Sequence, residues 1–373
     1  MRKLKLIYGC LGSHSNDLLH DHIAELVDSK TPCLYIVPEQ QTVIAEAEMA
    51  KLLPPSAPLC FEVTNFSRLA ETVFRRLGGI SYNYVDDTAR ALIMWRTLAE
   101  LSPIISEFSF SDPESVGTAL SAVADLRGRG ITSAALERAS NELPDSTLKK
   151  KLRDLSMIRT LSDAMISEKY DDSYDDLDRL AELLTKEHIF EDYHIFIDGF
   201  VSFTAQESRV IRALCADCEL TVALPLPHPG CKKLQFAEAL RFEAGLCDIA
   251  DAVGAELTKE YSSGAHLPPI VAHFAEGIGE LSLPPYEGDT DGLRIIRAED
   301  PYRASDFIAC DILRRVQDEG ASFSDFAIIV RDAQNYSGIV DSMLERRGIP
   351  CFFRQRPTSP HSSLSSSSAA PTQ

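Results

Sequence analysis

The sequence reads as an α/β protein built on a parallel sheet. Short apolar runs rich in β-branched and aromatic residues recur along it, and stretches of helical periodicity separate them. A second observation refines this: residues 86–187 break the alternation and read as helices throughout.

In chain order the expected strands are LKLIY (4–8), CLYIV (33–37), CFEVTNF (60–66), YHIFI (193–197), ELTVALP (219–225), LRIIR (293–297) and FAIIV (326–330). Each is short and nearly all apolar, as a strand buried on both faces must be. Helices are expected over 40–52, 67–77 and 205–216. Within 86–187, DDTARALIMWRTLAEL (86–101) opens on an aspartate pair suited to capping. STLKKKLRDLSMIRTLSDAMISEKY (146–170) spaces Leu148, Leu152, Leu155, Ile158 and Met165 along one face. The acid-rich YDDSYDDLDRL (170–180) lacks the glycine and spacing of a calcium loop and reads as a helix start. Pro/Gly-rich text at 263–292 marks a linker. A second α/β unit follows, with helices at 303–318 and 336–346 and the run IPCFF (349–353). The Ser/Pro-rich end, 357–373, has too few apolar residues to build a core and is expected to be disordered.

Bulk properties narrow the function. The 373 residues suit two or three domains, with 45% hydrophobic and 25% charged residues. A formal net charge of −19 counts against autonomous tight DNA binding, because phosphate contacts supply most of that affinity. Nine scattered cysteines read as reduced thiols, and Cys215/Cys218 is a CxxC without a second pair at zinc-ribbon spacing. No apolar run is long enough for a membrane span and no signal peptide is evident, so a cytoplasmic protein without membrane contact is expected.

One stretch has the shape of a phosphate-binding loop. LIYGCLGSHSNDLL (6–19) runs from a strand through Gly9 and Gly12 towards a helix. An active loop ends Gly-Lys-Ser/Thr, where lysine neutralises the terminal phosphates and the hydroxyl holds Mg²⁺. Here His14, Ser15 and Asn16 stand in those places, so tight ATP binding is not expected. A plain strand-to-helix turn and a weak surviving nucleotide contact are both compatible with the residues.

LYIVPEQQTVIAEAEMAKLL (34–53), VTNFSRLAETVFRRLGG (63–79), IFIDGFVSFTAQESRVIRAL (195–214) and FAIIVRDAQNYSGIVDSMLERRGIPCFF (326–353) complete an ordered set with the loop remnant. The set resembles the N-terminal part of AddB/RexB-type subunits of the bacterial ATP-dependent helicase–nuclease, over about residues 4–353. That resemblance implies a RecA-like, superfamily-1 helicase-like fold: a first domain over 1–85 and 188–285, an all-helical 1B-like insertion over 86–187, and a partial second domain over 291–356. It implies a fragment ending before the family's nuclease domain and iron–sulfur cysteines, so that neither the cluster nor Mg-ATP is expected as a cofactor of this chain. The degenerate nucleotide set would be Gly9, Gly12, Ser13, Ser15, Asn16, Asp198 and Gln206, with Gly199 where an active site needs glutamate. The strand path for DNA would be lined by Gln40, Thr42, Phe66, Arg68 and Phe200, with Glu71 opposing phosphate. The partners implied are an AddA/RexA-type motor protein, joined in a heterodimer, and single-stranded DNA, bound weakly by this chain alone. The role implied is a non-catalytic guide or scanner of DNA strands in recombinational repair. The alternatives are an active P-loop ATPase with a divergent loop, and a scaffold that docks the partner without touching DNA.

Overall fold

The computed structural model describes residues 2–9, 15–80, 83–261, 267–277, 284–331 and 333–352. The expected disordered end, 357–373, lies outside them. The chain divides into two compact units, Met1–Tyr286 and Glu287–Gln373.

The first unit begins β1 (Lys3–Tyr8), α1 (Ser15–Asp28), β2 (Cys33–Ile36), α2 (Thr42–Leu52), β3 (Phe61–Thr64) and α3 (Phe66–Leu77). It continues with α4 (Asp87–Leu101), α5 (Pro113–Gly128), α6 (Ser133–Glu142), α7 (Thr147–Ser167) and α8 (Asp176–Lys186). It closes with β4 (His194–Ile197), α9 (Ala205–Asp217), β5 (Glu219–Leu224), α10 (Ala237–Val253), β6 (Glu256–Tyr261) and α11 (Pro269–Gly277). The strands form one six-stranded sheet in the order β3-β2-β4-β5-β1-β6. All five pairings are parallel.

Alternation along the strands feeds two cores, one on each face of the sheet. Ile7, Tyr35, Val37 and Phe196 pack on Leu19, Ile23 and Val27 of α1 and on Ala45 and Met49 of α2. Leu4, Leu6, Leu34, Ile36, Ile195 and Ile197 face the other way, towards buried residues of α3, α8, α9 and α10. The chain therefore runs outward from β1 to β3 with its helices on one face, and returns from β3 to β6 with them on the other. Strand β6 was missed by sequence reading. It alternates Glu256, Leu257, Thr258, Lys259 and Glu260, an edge pattern in which the charges find partners. Lys259 bonds Glu243 at 2.7 Å, and Glu260 accepts from Lys5 at 3.3 Å.

Among the described residues, the chain between β3 and β4 forms helices and turns without a named strand. Asp86 caps α4 by accepting the Ala89 N–H at 2.6 Å, and α4, α5 and α7 meet around Met94, Leu98, Ala119, Val123 and Ile158. A buried charge cluster ties this segment together. Asp172 accepts from Arg127 at 2.7 Å and from Arg90 at 2.9 Å. Arg127 also pairs with Asp163. The acid-rich stretch acts as caps, since Asp172 takes the Tyr174 N–H at 3.0 Å just before α8.

The second unit holds α12 (Pro301–Asp318), α13 (Ala333–Tyr336) and α14 (Val340–Arg346). Ala309, Ile312, Val340, Leu344 and Ile349 form its core. Two expectations fail here. Residues 293–297 and 326–330 are not strands, and neither takes a ladder partner among the described residues. Apolar composition does not make a strand without a neighbour to bond. Ile295 and Ile329 are accordingly 86% and 93% exposed, whereas Ile328 is half-buried on the unit's core. The single helix expected over 336–346 is broken at Gly338, whose φ of +79° no helix accommodates.

Candidate functional site

In a doubly wound parallel sheet, ligands bind beyond the carboxyl ends of the strands, where neighbouring strands send their following segments to opposite faces. This topology has such points between β1 and β5 and on both sides of β2, towards β4 and towards β3. The sequence-predicted residues fall at the first and around β2.

At the first, Gly9 is buried and its N–H bonds the Leu224 carbonyl at 3.1 Å, carrying the β1–β5 ladder one residue further. Gly12 and Ser13 lie outside the described residues, and Ser15 and Asn16 begin α1. The first turn of α1 already carries Asp17, a carboxylate at the helix end that would otherwise favour phosphate.

Asp198 directly follows β4, which β5 separates from β1. Both its oxygens are engaged. Tyr35 donates its hydroxyl to Oδ2 at 2.9 Å, and the Gly199 N–H donates to Oδ1 at 2.6 Å. Burial, reinforced by the Asp198 charge, raises the Tyr35 phenol well above its ordinary range, so it remains a donor. Gly199 has φ +78°, and a Cβ there would overlap Gln41 Oε1 and meet Pro38 Cδ at 3.0 Å. The turn after β4 is thus seated directly on the turn after β2. Gln206 is turned elsewhere: its amide donates to the Tyr174 carbonyl at 2.6 Å and to Asp178 at 2.9 Å, tying α9 to the start of α8. Glu207 is used in a capping box with Thr204.

The predicted DNA-path residues gather around the β2/β4 point, but not as an open groove. Thr42 is 1% exposed; its hydroxyl donates to the Glu39 carbonyl at 3.0 Å and accepts from Asn65 at 3.4 Å. Asn65 in turn caps α3 through the Arg68 N–H at 2.9 Å. Phe66 is 6% exposed, with ring centroids 5.5 Å from Phe200 and 6.0 Å from Phe203, both edge-on. Its ring is a core ring in this arrangement and has no face open to a base. Phe200 is half-buried beside it. Arg68 pairs with Glu46 at 2.8 Å, and Glu71 pairs with Arg75 at 2.5 Å. Gln40 is exposed. Sequence reading missed Tyr35, Gln41, Glu46 and Asn65. An amide next to a glycine turn signals little by itself, and the Tyr35–Asp198 contact joins residues far apart in the chain.

Cys215 and Cys218 are buried at the end of α9, where desolvation raises both thiols, that of Cys215 to about 11. Thiols held protonated in this way are poor nucleophiles and metal ligands. Among the described residues, no helix is long and apolar enough to cross a membrane.

Comparison with known proteins identifies relatives of the chain. The chain is 25% identical over 377 residues to the B subunit of the ATP-dependent helicase/deoxyribonuclease of Acetivibrio thermocellus, covering 95% of this chain and 32% of that protein. The corresponding B subunit of Ruminiclostridium cellulolyticum is 27% identical over 94% of this chain and 32% of its own length. That of Desulforudis audaxviator is 28% identical over 88% and 30%. The chain thus spans about a third of the length of these curated relatives. The family model described as the N-terminal part of ADDB matches residues 6–268, from β1 through β6, and the chain belongs to that family.

Proposed function

We propose that this chain is the helicase-like, ATPase-inactive part of the B subunit of a helicase–nuclease that repairs DNA double-strand breaks by recombination. It would pair with a motor protein of the AddA/RexA type and guide single-stranded DNA along its β2/β4 edge. The helical segment 86–187 serves as a 1B-like insertion in a RecA-like domain, and 291–356 belongs to a second such domain. The chain would need no cofactor of its own; Mg-ATP and an iron–sulfur cluster belong to the intact assembly.

The state of Asp198 carries the inactive-ATPase reading. Its oxygens are taken by Tyr35 and Gly199, and residues 9–16 of the sequence include no lysine. An acid committed to two protein donors is poorly placed to organise Mg²⁺ or water. Steady-state ATP hydrolysis by the purified chain, with and without Ser15→Lys, tests this reading. Turnover above background in the unaltered chain would overturn it.

A second reading is a scaffold that docks the partner without touching DNA. The burial of Phe66 and the pairing of Arg68 with Glu46 favour it. Salt-dependent single-stranded DNA binding separates the two. The guiding role expects weak binding, roughly 10⁻⁴–10⁻⁶ M, that falls with salt, and the scaffold expects none.

A further inference from the structure

His188, Glu191 and Asp217 converge beside Cys218, at the ends of α8 and α9. Each offers one ligand atom, and the three atoms lie within 4.8 Å of one another. His188 and Glu191 stand three apart in the connection between α8 and β4, and Asp217 is the last residue of α9. The connection is anchored by Phe190, which is buried and packs edge-on against Tyr193 with ring centroids 5.1 Å apart.

Two further features point to a bound cation. The Asp217 side chain is 7% exposed; His188 Nδ1 meets its Oδ1 at 2.6 Å, while Oδ2 is shut off from solvent with no hydrogen-bond partner among the described residues. A buried carboxylate oxygen without a donor costs free energy that a metal ion would recover. The C-terminal ends of α8 and α9 also lie together at this point, because His188 follows one closely and Asp217 ends the other. The negative ends of both helix dipoles therefore favour positive charge there.

We propose that His188, Glu191 and Asp217 bind a divalent transition-metal ion of the zinc class. An imidazole with two carboxylates suits zinc better than magnesium or calcium, which prefer all-oxygen shells. Ligand bonds of about 2.0–2.2 Å in a tetrahedral shell hold the donors about 3.3 Å apart, so exposed Glu191 draws in by a rotamer change while His188 Nδ1 and Asp217 Oδ1 part from their 2.6 Å contact to admit the ion. The imidazole binds through Nδ1 and keeps its hydrogen on Nε2, so any proton shared with Asp217 Oδ1 leaves to solvent. Water completes the shell. The ion pins the end of the helical segment to α9 and to the start of β4.

The test is zinc titration of the 373-residue chain by calorimetry and by melting temperature, with cobalt as a spectroscopic substitute. One equivalent should bind and raise the melting temperature, and the cobalt complex should show d–d bands without sulfur charge transfer. Glu191→Gln changes an exposed residue and should melt like the metal-free parent, whereas His188→Ala also removes the partner of Asp217 Oδ1 and is read by zinc affinity alone. Each should weaken zinc binding by on the order of tenfold to a hundredfold. No zinc uptake, unchanged affinity in both variants, or a thiolate-to-cobalt band would overturn the proposal.

Discussion

Arg68 on α3 and Glu46 on α2 face each other at 2.8 Å, each side chain about half exposed. The cation best placed for a phosphate is therefore already neutralised, and a DNA strand would have to displace a carboxylate to reach it. Glu46→Gln should steepen the salt dependence of single-stranded DNA binding by about one phosphate equivalent, while changing stability by no more than about 1 kcal/mol. Adding Arg68→Ala should cancel the gain. Equal salt slopes for the parent and Glu46→Gln would mean that Arg68 does not meet the strand.

Phe66→Ala should act on stability first. Its ring sits among Phe200, Phe203 and the α3 core, and truncation there is expected to cost about 3–5 kcal/mol. Chemical denaturation measures this directly. Near-parent stability combined with lost DNA binding would return Phe66 to the strand path.

Gly199→Ala should destabilise by roughly 1–3 kcal/mol. Its backbone is left-handed, the added methyl would crowd the Pro38 ring, and the Gln41 amide would have to swing aside. Gly254→Ala is the control: its φ is +66°, but open space surrounds the added atom. A smaller loss at Gly199 than at Gly254 would show that the two turns are not seated as described.

His194 should make the fold acid-sensitive. Burial is the main cause that pushes its imidazole down to about 4 from an ordinary 6.5; nearby Lys5, His22 and Lys3 add to this and Glu219 opposes it. The folded state thus resists a proton that the unfolded chain accepts. Stability is full above about pH 6.5 and falls by about 3 kcal/mol as pH drops through about 4. His194→Gln, which can still bond Thr221, should flatten that limb of the pH–stability curve. An acid limb of unchanged slope in the variant would assign it to other groups.

Strands β2, β4 and β5 were legible because burial on both faces leaves little but apolar residues in them, as in Ile195, Phe196 and Ile197. Strand β1 and the edge strand β3 were legible too, keeping enough apolar residues despite Lys5 and Glu62. Strand β6 was not, because an edge strand keeps Lys259 and Glu260 for ion pairs and loses the apolar signature. The segments 293–297 and 326–330 show the opposite error, carrying the signature without a ladder. At the candidate site, the sequence indicated Asp198 and Arg68 but not what holds them. Tyr35 and Glu46 become their partners only through the β2–β4 pairing and the approach of α2 to α3. Conversely, Phe66 and Thr42 look like contact residues in the sequence and are buried in the fold.

Strand β1 lies between β5 and β6, so it is synthesised well before both its neighbours, which lie near the far end of the unit. At ribosomal rates of about 5–20 residues per second, Leu4, Leu6 and Ile7 wait on the order of 10–50 s before β6, roughly 250 residues later, can pair with them. Nothing in the early chain can stand in for those neighbours, because β2 and β3 belong to the opposite flank of the sheet. The nascent chain therefore carries an apolar strand with both edges open through most of its synthesis. That makes its amino terminus the segment most in need of a holding chaperone, and the place where a stalled or shortened product would begin to aggregate.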